Sequence, residues 1–133
     1  MNDRDFCTGI LPSVSRTFAI CIRLLPARLE HSTLVAYLLC RVADTLEDAP
    51  ALPAAEKRRL LLHWRSCLDD AGPDPEPLRE AFATPESDEG RLVREADRVL
   101  REFRGLPREH RDAVRPWVQE MCGGMAEFAG ARP

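Results

Sequence analysis

The chain has 133 residues, the length of one ordinary domain. Hydrophobic residues make up 44% of it and charged residues 31%, which is typical of a folded globular protein and excludes a disordered one. The formal net charge is −3, and this mildly acidic balance argues against nucleic-acid binding, which needs a basic surface.

The sequence predicts a cytoplasmic protein with no transmembrane segment. Its longest apolar run, 34–40, is far shorter than the ~20 residues that cross a bilayer. Asp3 and Asp5 stand where a signal peptide has basic residues. The five cysteines are scattered, with no Cys-x-x-Cys pair, so we expect reduced thiols and neither zinc nor disulfides.

The residue composition predicts an all-α fold, because Leu and Ala greatly outnumber Val and Ile. Turn signals separate the helical stretches, which cover residues 3–11, 14–25, 28–48, 54–70, 91–103 and 108–128. The first should end at Pro12, and the second should be capped by Ser13 and stopped by Pro26. The proline-rich segment 71–90 is expected to be a mobile connector with about one helical turn inside it.

The last predicted helix carries an apolar stripe that needs a partner. The stripe consists of Val114, Trp117, Val118, Met121, Met125 and Phe128. Trp117, like Trp64 in an earlier helix, is assigned to the core, and Pro116 predicts a kink or a restart. Little sequence follows this helix, so we expect either self-association or a missing C-terminal half.

The 28–48 helix combines an apolar circumference with a narrow polar line. At ~100° per residue, Tyr37, Arg41, Asp44 and Asp48 fall on one face, with Glu47 beside them. A helix that is apolar almost all round is buried, so these groups are expected to line a cavity. Carboxylates in this spacing suit Mg²⁺ with substrate phosphates. The alternative is a solvated acidic helix end, with Arg41 paired to Asp44 or Asp48.

A second polar constellation spans residues 13–18, at a predicted helix start. Exposed N–H groups, the hydroxyls and the Arg16 guanidinium would make an anion pocket there. The alternative is plain capping by Ser13 or Ser15. Beside the acidic line, the anion pocket suggests a Mg²⁺-diphosphate substrate.

Four segments carry a family resemblance: ILPSVSRTFAICIRLLP, YLLCRVADTLEDAP, REFRGLP and MCGGMAEF. They resemble the squalene/phytoene synthase family, the head-to-head prenyl transferases of the all-α isoprenoid synthase fold, and its squalene branch above all. The resemblance runs over about residues 6–128. It implies that residues 1–133 are the N-terminal part of one synthase-like domain.

The resemblance assigns roles to the polar line. Asp44, Glu47 and Asp48 match the family's first aspartate-rich motif, in which aspartates hold Mg²⁺ against the substrate diphosphate. Arg41 matches an arginine that grips the diphosphate, and Tyr37 matches a tyrosine of the catalytic site.

It also assigns roles to the second constellation. Ser15, Arg16 and Thr17 match polar residues near the phosphates, and Phe18 matches a residue of the apolar wall of the substrate pocket.

The departures from the family pattern are expected to matter. Family members are about twice this length and carry a second aspartate-rich motif on a later helix. Neither Asp69-Asp70 nor Asp88-Glu89 matches that motif, and the second pair falls in the predicted connector. The chain alone is therefore expected to be inactive.

The reaction that the resemblance implies joins two farnesyl diphosphates into presqualene diphosphate and then squalene. Mg²⁺ and, for the complete enzyme, NADPH would be the cofactors, and the apolar product allows peripheral membrane contact. The alternatives are a phytoene- or dehydrosqualene-forming relative, and a non-catalytic helical fragment or partner subunit.

Two further patterns are interpreted as structural. Arginines between residues 91 and 115 alternate with acids at helical spacing, which is typical of a solvated helix face. His31, His63 and His110 have no acid or cysteine at ligand spacing, so they are expected at the surface or the core edge.

Overall fold

The computed structural model describes residues 1–15, 19 and 25–131, and all regular structure in this part is helical. The helices are α1 (Asp3–Val14), α2 (Ala27–Asp48), α3 (Ala54–Cys67), α4 (Glu76–Ala81), α5 (Asp88–Arg94), α6 (Ala96–Arg104) and α7 (Arg108–Ala131). The predicted all-α fold is confirmed. None of the described helices is long and apolar enough to cross a membrane.

Helix α2 lies at the centre, in contact with α1, α3, α5, α6 and α7. Its apolar side chains are fully buried because neighbours surround it: Val35, Leu38, Leu39, Val42, Ala43 and Leu46. The fully buried Trp64 of α3 donates its indole N–H to the carbonyl of Leu39 at 3.2 Å, which ties α3 to α2. The prediction that Trp64 belongs to the core is confirmed.

Several arginines stabilise the ends of helices rather than a ligand. Arg104 and Arg115 donate to the carbonyls of Cys67 and Leu68, which the end of α3 leaves without helical partners. Arg101 of α6 pairs with Asp3 of α1, 2.7 Å from its carboxylate. The solvated-face interpretation is confirmed where arginines pair with acids at helical spacing, as in Arg98–Glu95 and Arg101–Asp97, but not at Arg115, whose side chain is only 19% exposed.

The beginning of the chain departs from the prediction. Helix α1 continues through Pro12 to Val14, and Asn2 caps its start by accepting from the N–H of Asp5. Pro12 removes only one backbone hydrogen bond near the helix end, which limits its cost. Ser13 is therefore not a helix N-cap. Most of the predicted helix over 14–25 lies outside the described residues.

The predicted connector contains α4, in agreement with the short helical turn expected there, but it also contains the start of α5. Pro77 lies in the first turn of α4, where a missing N–H costs nothing. Leu78 and Gly90 are buried, so the segment packs on the core instead of forming a mobile connector. The predicted 91–103 helix is divided at Glu95 between α5 and α6.

Three further outcomes concern α3, α7 and the histidines. Helix α3 ends at Cys67, earlier than the predicted residue 70, and α7 runs through Pro116 without a restart.

Trp117 is 76% exposed, so its assignment to the core is wrong. The buried face of α7 is centred on Val118, Cys122 and Ala126. The three histidines are half-buried, which confirms their expected place at the core edge, and the ring of His31 lies 3.0 Å from Glu102, an acid distant in sequence.

Substituting Gly72 should destabilise the fold. A Cβ there would lie 2.3 Å from the carbonyl oxygen of Ser66. The backbone at Ser66 or Gly72 would have to shift to relieve this clash. We expect Gly72→Ala to lower the free energy of unfolding by about 1–3 kcal/mol, the usual cost of overpacking. Urea unfolding measures it.

Gly124→Ala is the matched control, because a Cβ there meets nothing within 4 Å and alanine favours a helix interior. It should stabilise the protein by up to about 1 kcal/mol. Equal effects of the two substitutions would contradict the close approach at Gly72.

Candidate functional site

The polar line lies along the C-terminal half of α2. Tyr37, Arg41 and Asp44 are half-buried, and Asp48 is exposed at the end of the helix. Lys57 donates from Nζ to the carbonyl of Glu47 at 2.7 Å. A cation at the last carbonyls of a helix stabilises its C-terminus. Lys57 therefore stabilises the end of α2, which carries Glu47 and Asp48.

Arg41 lies between two carboxylates. Its Nη1 is 3.7 Å from Oδ2 of Asp44, one turn along α2, and its Nη2 is 3.7 Å from Oε1 of Glu89 in α5. Both distances exceed hydrogen-bond length, so these are ion pairs without a close hydrogen bond. The buried Nε of Arg41 has no hydrogen-bond acceptor among the described residues. The guanidinium thus keeps an unused donor.

A cavity of about 670 Å³ opens between the end of α2 and the segment that leads into α5. Arg41, Thr45 and Asp48 line one side, and Phe82, Ser87, Glu89 and Gly90 are among the residues that line the other. Arg41 is the one cationic side chain among the described lining residues. An anion that enters this cavity therefore has a single guanidinium to bind.

Asp44 carries a charge that the fold does not fully compensate. Burial raises the pKa of its carboxyl above the ordinary value, and the nearby Asp48 adds to this effect. The Arg41 guanidinium acts in the opposite direction but does not cancel the rise. A divalent cation near Asp44 would supply the missing positive charge.

Glu47 and Tyr37 lie on α2 but do not line the cavity. The backbone carbonyl of Glu47 is bound by Lys57, and Tyr37 packs against the hydrophobic core. The four residues of the predicted line therefore do not all line the cavity. Arg41 and Asp48 share the cavity, and Asp44 joins them through its ion pair with Arg41.

Of the second constellation, the structure describes only part. Ser15 is half-buried at the end of α1, where its N–H donates to Leu11 and its carbonyl accepts from Ala19. Ser15 does not line the 670 Å³ cavity. Arg16, Thr17 and Phe18, which the sequence assigns to phosphate and substrate contacts, lie outside the described residues.

The donor set fits Mg²⁺ only together with a ligand that brings oxygen atoms. No three His, Cys, Asp or Glu side chains in the described ranges are grouped closely enough to hold a metal alone. Mg²⁺, however, is usually bound by one or two carboxylates, waters and substrate phosphates. Asp44 and Asp48 can supply those carboxylates.

Glu89 belongs to this site but is not among the site residues predicted from the sequence. The sequence predicts a mobile connector at this position, whereas in the structure Glu89 lies at the start of α5. Ser87 caps that helix by accepting from the N–H of Gly90 at 3.0 Å. A serine followed by two acids and the apolar pair Leu92-Val93 is a helix-start signal that could have identified it.

Comparisons with known proteins agree on one family. The model of the squalene/phytoene synthase family matches residues 11–133. Squalene synthase BSS of Botryococcus braunii is 32% identical over 126 residues, 95% of this chain and 26% of the relative. Squalene synthase of Schizosaccharomyces pombe is 29% identical over 123 residues, 92% of this chain and 26% of the relative.

A solved structure agrees with them. The complex of TcSQS with the ligand BPH1237 superposes with a TM-score of 0.78 at 27% identity, over 98% of this chain and 36% of that one. The chain thus spans about a quarter of the length of the two curated relatives, not the half that the resemblance implies.

Removing the charge of Asp44 should stabilise the protein without ligand. Folding raises the pKa of this carboxyl, so Asp44 contributes stability at a pH below its pKa in the unfolded state. That contribution is lost as the pH rises through its pKa in the folded state. At pH 7 we expect Asp44→Asn to increase the free energy of unfolding by a few tenths of a kcal/mol, since the group is partly exposed.

Asp3→Asn is the opposite control. Its hydrogen bond with Arg101 lowers the pKa of Asp3, so this charge contributes stability above the unfolded pKa, which is lost at acid pH. The control should therefore be less stable than the wild type at pH 7. Destabilisation by both substitutions in urea unfolding would contradict the uncompensated charge at Asp44.

Proposed function

The chain belongs to the squalene/phytoene synthase family, and we propose that its α2 motif binds the diphosphate of a prenyl substrate together with Mg²⁺. The observation that carries the proposal is Arg41, a half-buried guanidinium that is the one cation among the described residues lining the cavity and that is held only by ion pairs at 3.7 Å. A phosphate oxygen is the acceptor that such a group binds best.

The carboxylates support the same proposal. Asp48 lines the cavity and Asp44 pairs with Arg41, so a phosphate on Arg41 would approach both. When bound, Mg²⁺ would neutralise the diphosphate as it leaves the prenyl chain. Asp44 and Asp48 are proposed to hold that cation, with Glu47 in the same motif, while Arg41 orients the phosphates.

The proposed reaction is the condensation of two farnesyl diphosphates to presqualene diphosphate and squalene. The names of the relatives support it, since the chain is 29% to 32% identical to squalene synthases over most of its length. Tyr37 would lie near this site, and Ser15, Arg16 and Thr17 would contact the phosphates, with Phe18 against the prenyl chain. NADPH would serve only the complete enzyme, and no described residue is assigned to it.

We propose a cytoplasmic location, with peripheral membrane contact for release of the apolar product. The described cysteines Cys7, Cys40, Cys67 and Cys122 form no disulfides. Burial raises the pKa of the Cys7, Cys67 and Cys122 thiols to about 12, so they remain protonated and unreactive. These properties fit a reducing compartment.

The proposed binding site is tested by calorimetric titration of the chain with farnesyl thiodiphosphate, an analogue that resists ionisation, in the presence of Mg²⁺. Asp48→Asn should weaken binding at least about tenfold, because it removes a charge that the cation needs. Arg41→Lys should also weaken it, since lysine cannot bind two phosphate oxygens in the arginine geometry.

Asp70→Asn is the matched control, an equally conservative change at an exposed aspartate that pairs with Arg115 away from the cavity. Its affinity should equal that of the wild type. Equal affinities for all four proteins, or no Mg²⁺-dependent binding by the wild type, would overturn the proposed site.

The chain alone is expected to form no squalene and to self-associate. Ionisation needs more metal ligands than the α2 motif provides, and a chamber closed to water. Trp117 exposes 76% of its surface, and exposed apolar residues favour association. Incubation with farnesyl diphosphate, Mg²⁺ and NADPH tests the first expectation, and light scattering tests the second.

Trp117→Gln should shift the light-scattering mass toward the monomer, whereas Ala55→Gln, at another exposed helical position, should leave it unchanged. Squalene made by a monomer would contradict the requirement for further metal ligands. An unchanged mass in Trp117→Gln would show that the exposed tryptophan does not drive association.

A further inference from the structure

Glu89 is held in place by structure rather than by a loose loop. Ser87 caps α5, and the fully buried Leu92 and Val93 pack this helix on the core, where α5 contacts α2. Gly90 is buried beside it, and a Cβ there would lie 3.2 Å from both Pro85 and Ser87. The carboxylate of Glu89 is therefore presented to the cavity from the side opposite Arg41.

The charges around the cavity are unbalanced. Arg41 is the one cation among the described lining residues. Asp48, Glu86 and Glu89 also line the cavity, and Asp44 pairs with Arg41 without lining it. Glu89 differs from Glu86 because it contacts the guanidinium, at 3.7 Å. A metal-free diphosphate would have to displace Glu89 from Arg41. It would then remain near Asp48, Glu86 and Glu89 without a cation to neutralise them. A diphosphate that carries a divalent cation would bring the charge that compensates them.

We propose that Glu89 is a positioning residue that acts through Arg41 and makes the cavity select metal-bound over metal-free diphosphate. Without ligand, Glu89 and Asp44 hold the guanidinium between them by ion pairs that lack close hydrogen bonds, so the ligand replaces weak contacts. Glu89 competes with the phosphate oxygens for Arg41. Displacing Glu89 from Arg41 costs little free energy only when the cation that enters with the diphosphate balances the charge of the Glu89 carboxylate. This inference rests on the proposed function, and it adds a residue outside the aspartate-rich motif.

The experiment measures two affinities for each variant by calorimetry, with inorganic diphosphate as the probe. One titration is done with excess Mg²⁺ and the other with a chelator, and the readout is the ratio of the two dissociation constants. Glu89→Gln keeps the size of the side chain and removes its charge. It should tighten metal-free binding on the order of tenfold, the effect of removing one like charge from a partly exposed anion site. Binding with Mg²⁺ should change less than about threefold, so the ratio falls.

Two further variants separate a contact from a general charge effect. Glu89→Asp keeps the charge on a side chain one methylene shorter and should restore part of the wild-type ratio. Glu86→Gln removes the same charge from the same cavity without a contact to Arg41, so its ratio should stay close to the wild-type value. Circular dichroism and thermal unfolding of each variant establish that the fold is retained.

The outcomes distinguish this inference from the proposed function. Mg²⁺-dependent binding by the wild type with an unchanged ratio in Glu89→Gln overturns the role of Glu89 alone. Equal falls in the ratio for Glu89→Gln and Glu86→Gln also overturn it, because the effect would then be general charge. No binding by the wild type in Mg²⁺ overturns both the inference and the proposed site.

Discussion

The constraint on which the structure depends is the burial of α2. Its apolar side chains are fully enclosed by the surrounding helices, and a buried helix cannot carry charged groups without partners. Arg41, Asp44 and Asp48 therefore lie where α2 emerges from its neighbours, and the cavity forms at that end. The packing that stabilises the fold also places the charges.

This placement has an energetic cost that the fold only partly offsets. One guanidinium faces Asp44 and Glu89 through contacts longer than hydrogen bonds, and burial keeps the pKa of Asp44 raised. Residues selected for stability alone would pair these charges more closely or replace them with apolar groups. Uncompensated charge beside a cavity is instead typical of a site whose ligand completes the electrostatics.

The sequence predicts the features that local residue patterns decide. The all-α fold follows from the composition and the turn signals, and the burial of α2 follows from an apolar circumference that one narrow polar line interrupts. Trp117 was misassigned because a stripe on α7 does not reveal which part of it meets α3 and which part stays exposed. The role of Glu89 depends on contact between residues 48 positions apart in sequence, Arg41 and Glu89, which no local pattern encodes. The placement of Tyr37 away from the cavity likewise depends on how α2 is rotated among its neighbours.

The packing around α2 is more complete than the charge balance of the cavity. The fully buried side chains of α2 are covered by helices of this chain, which fixes the position of the motif: Val35, Leu38, Leu39, Val42, Ala43 and Leu46. The cavity, by contrast, has one cation and no ready-made group of metal ligands among the described residues. The relatives are almost four times as long as the matched segment, which leaves room for ligands on other helices. The burial of α2 thus fixes where Arg41 and Asp48 lie, whereas the described lining residues leave an excess of negative charge around the cavity.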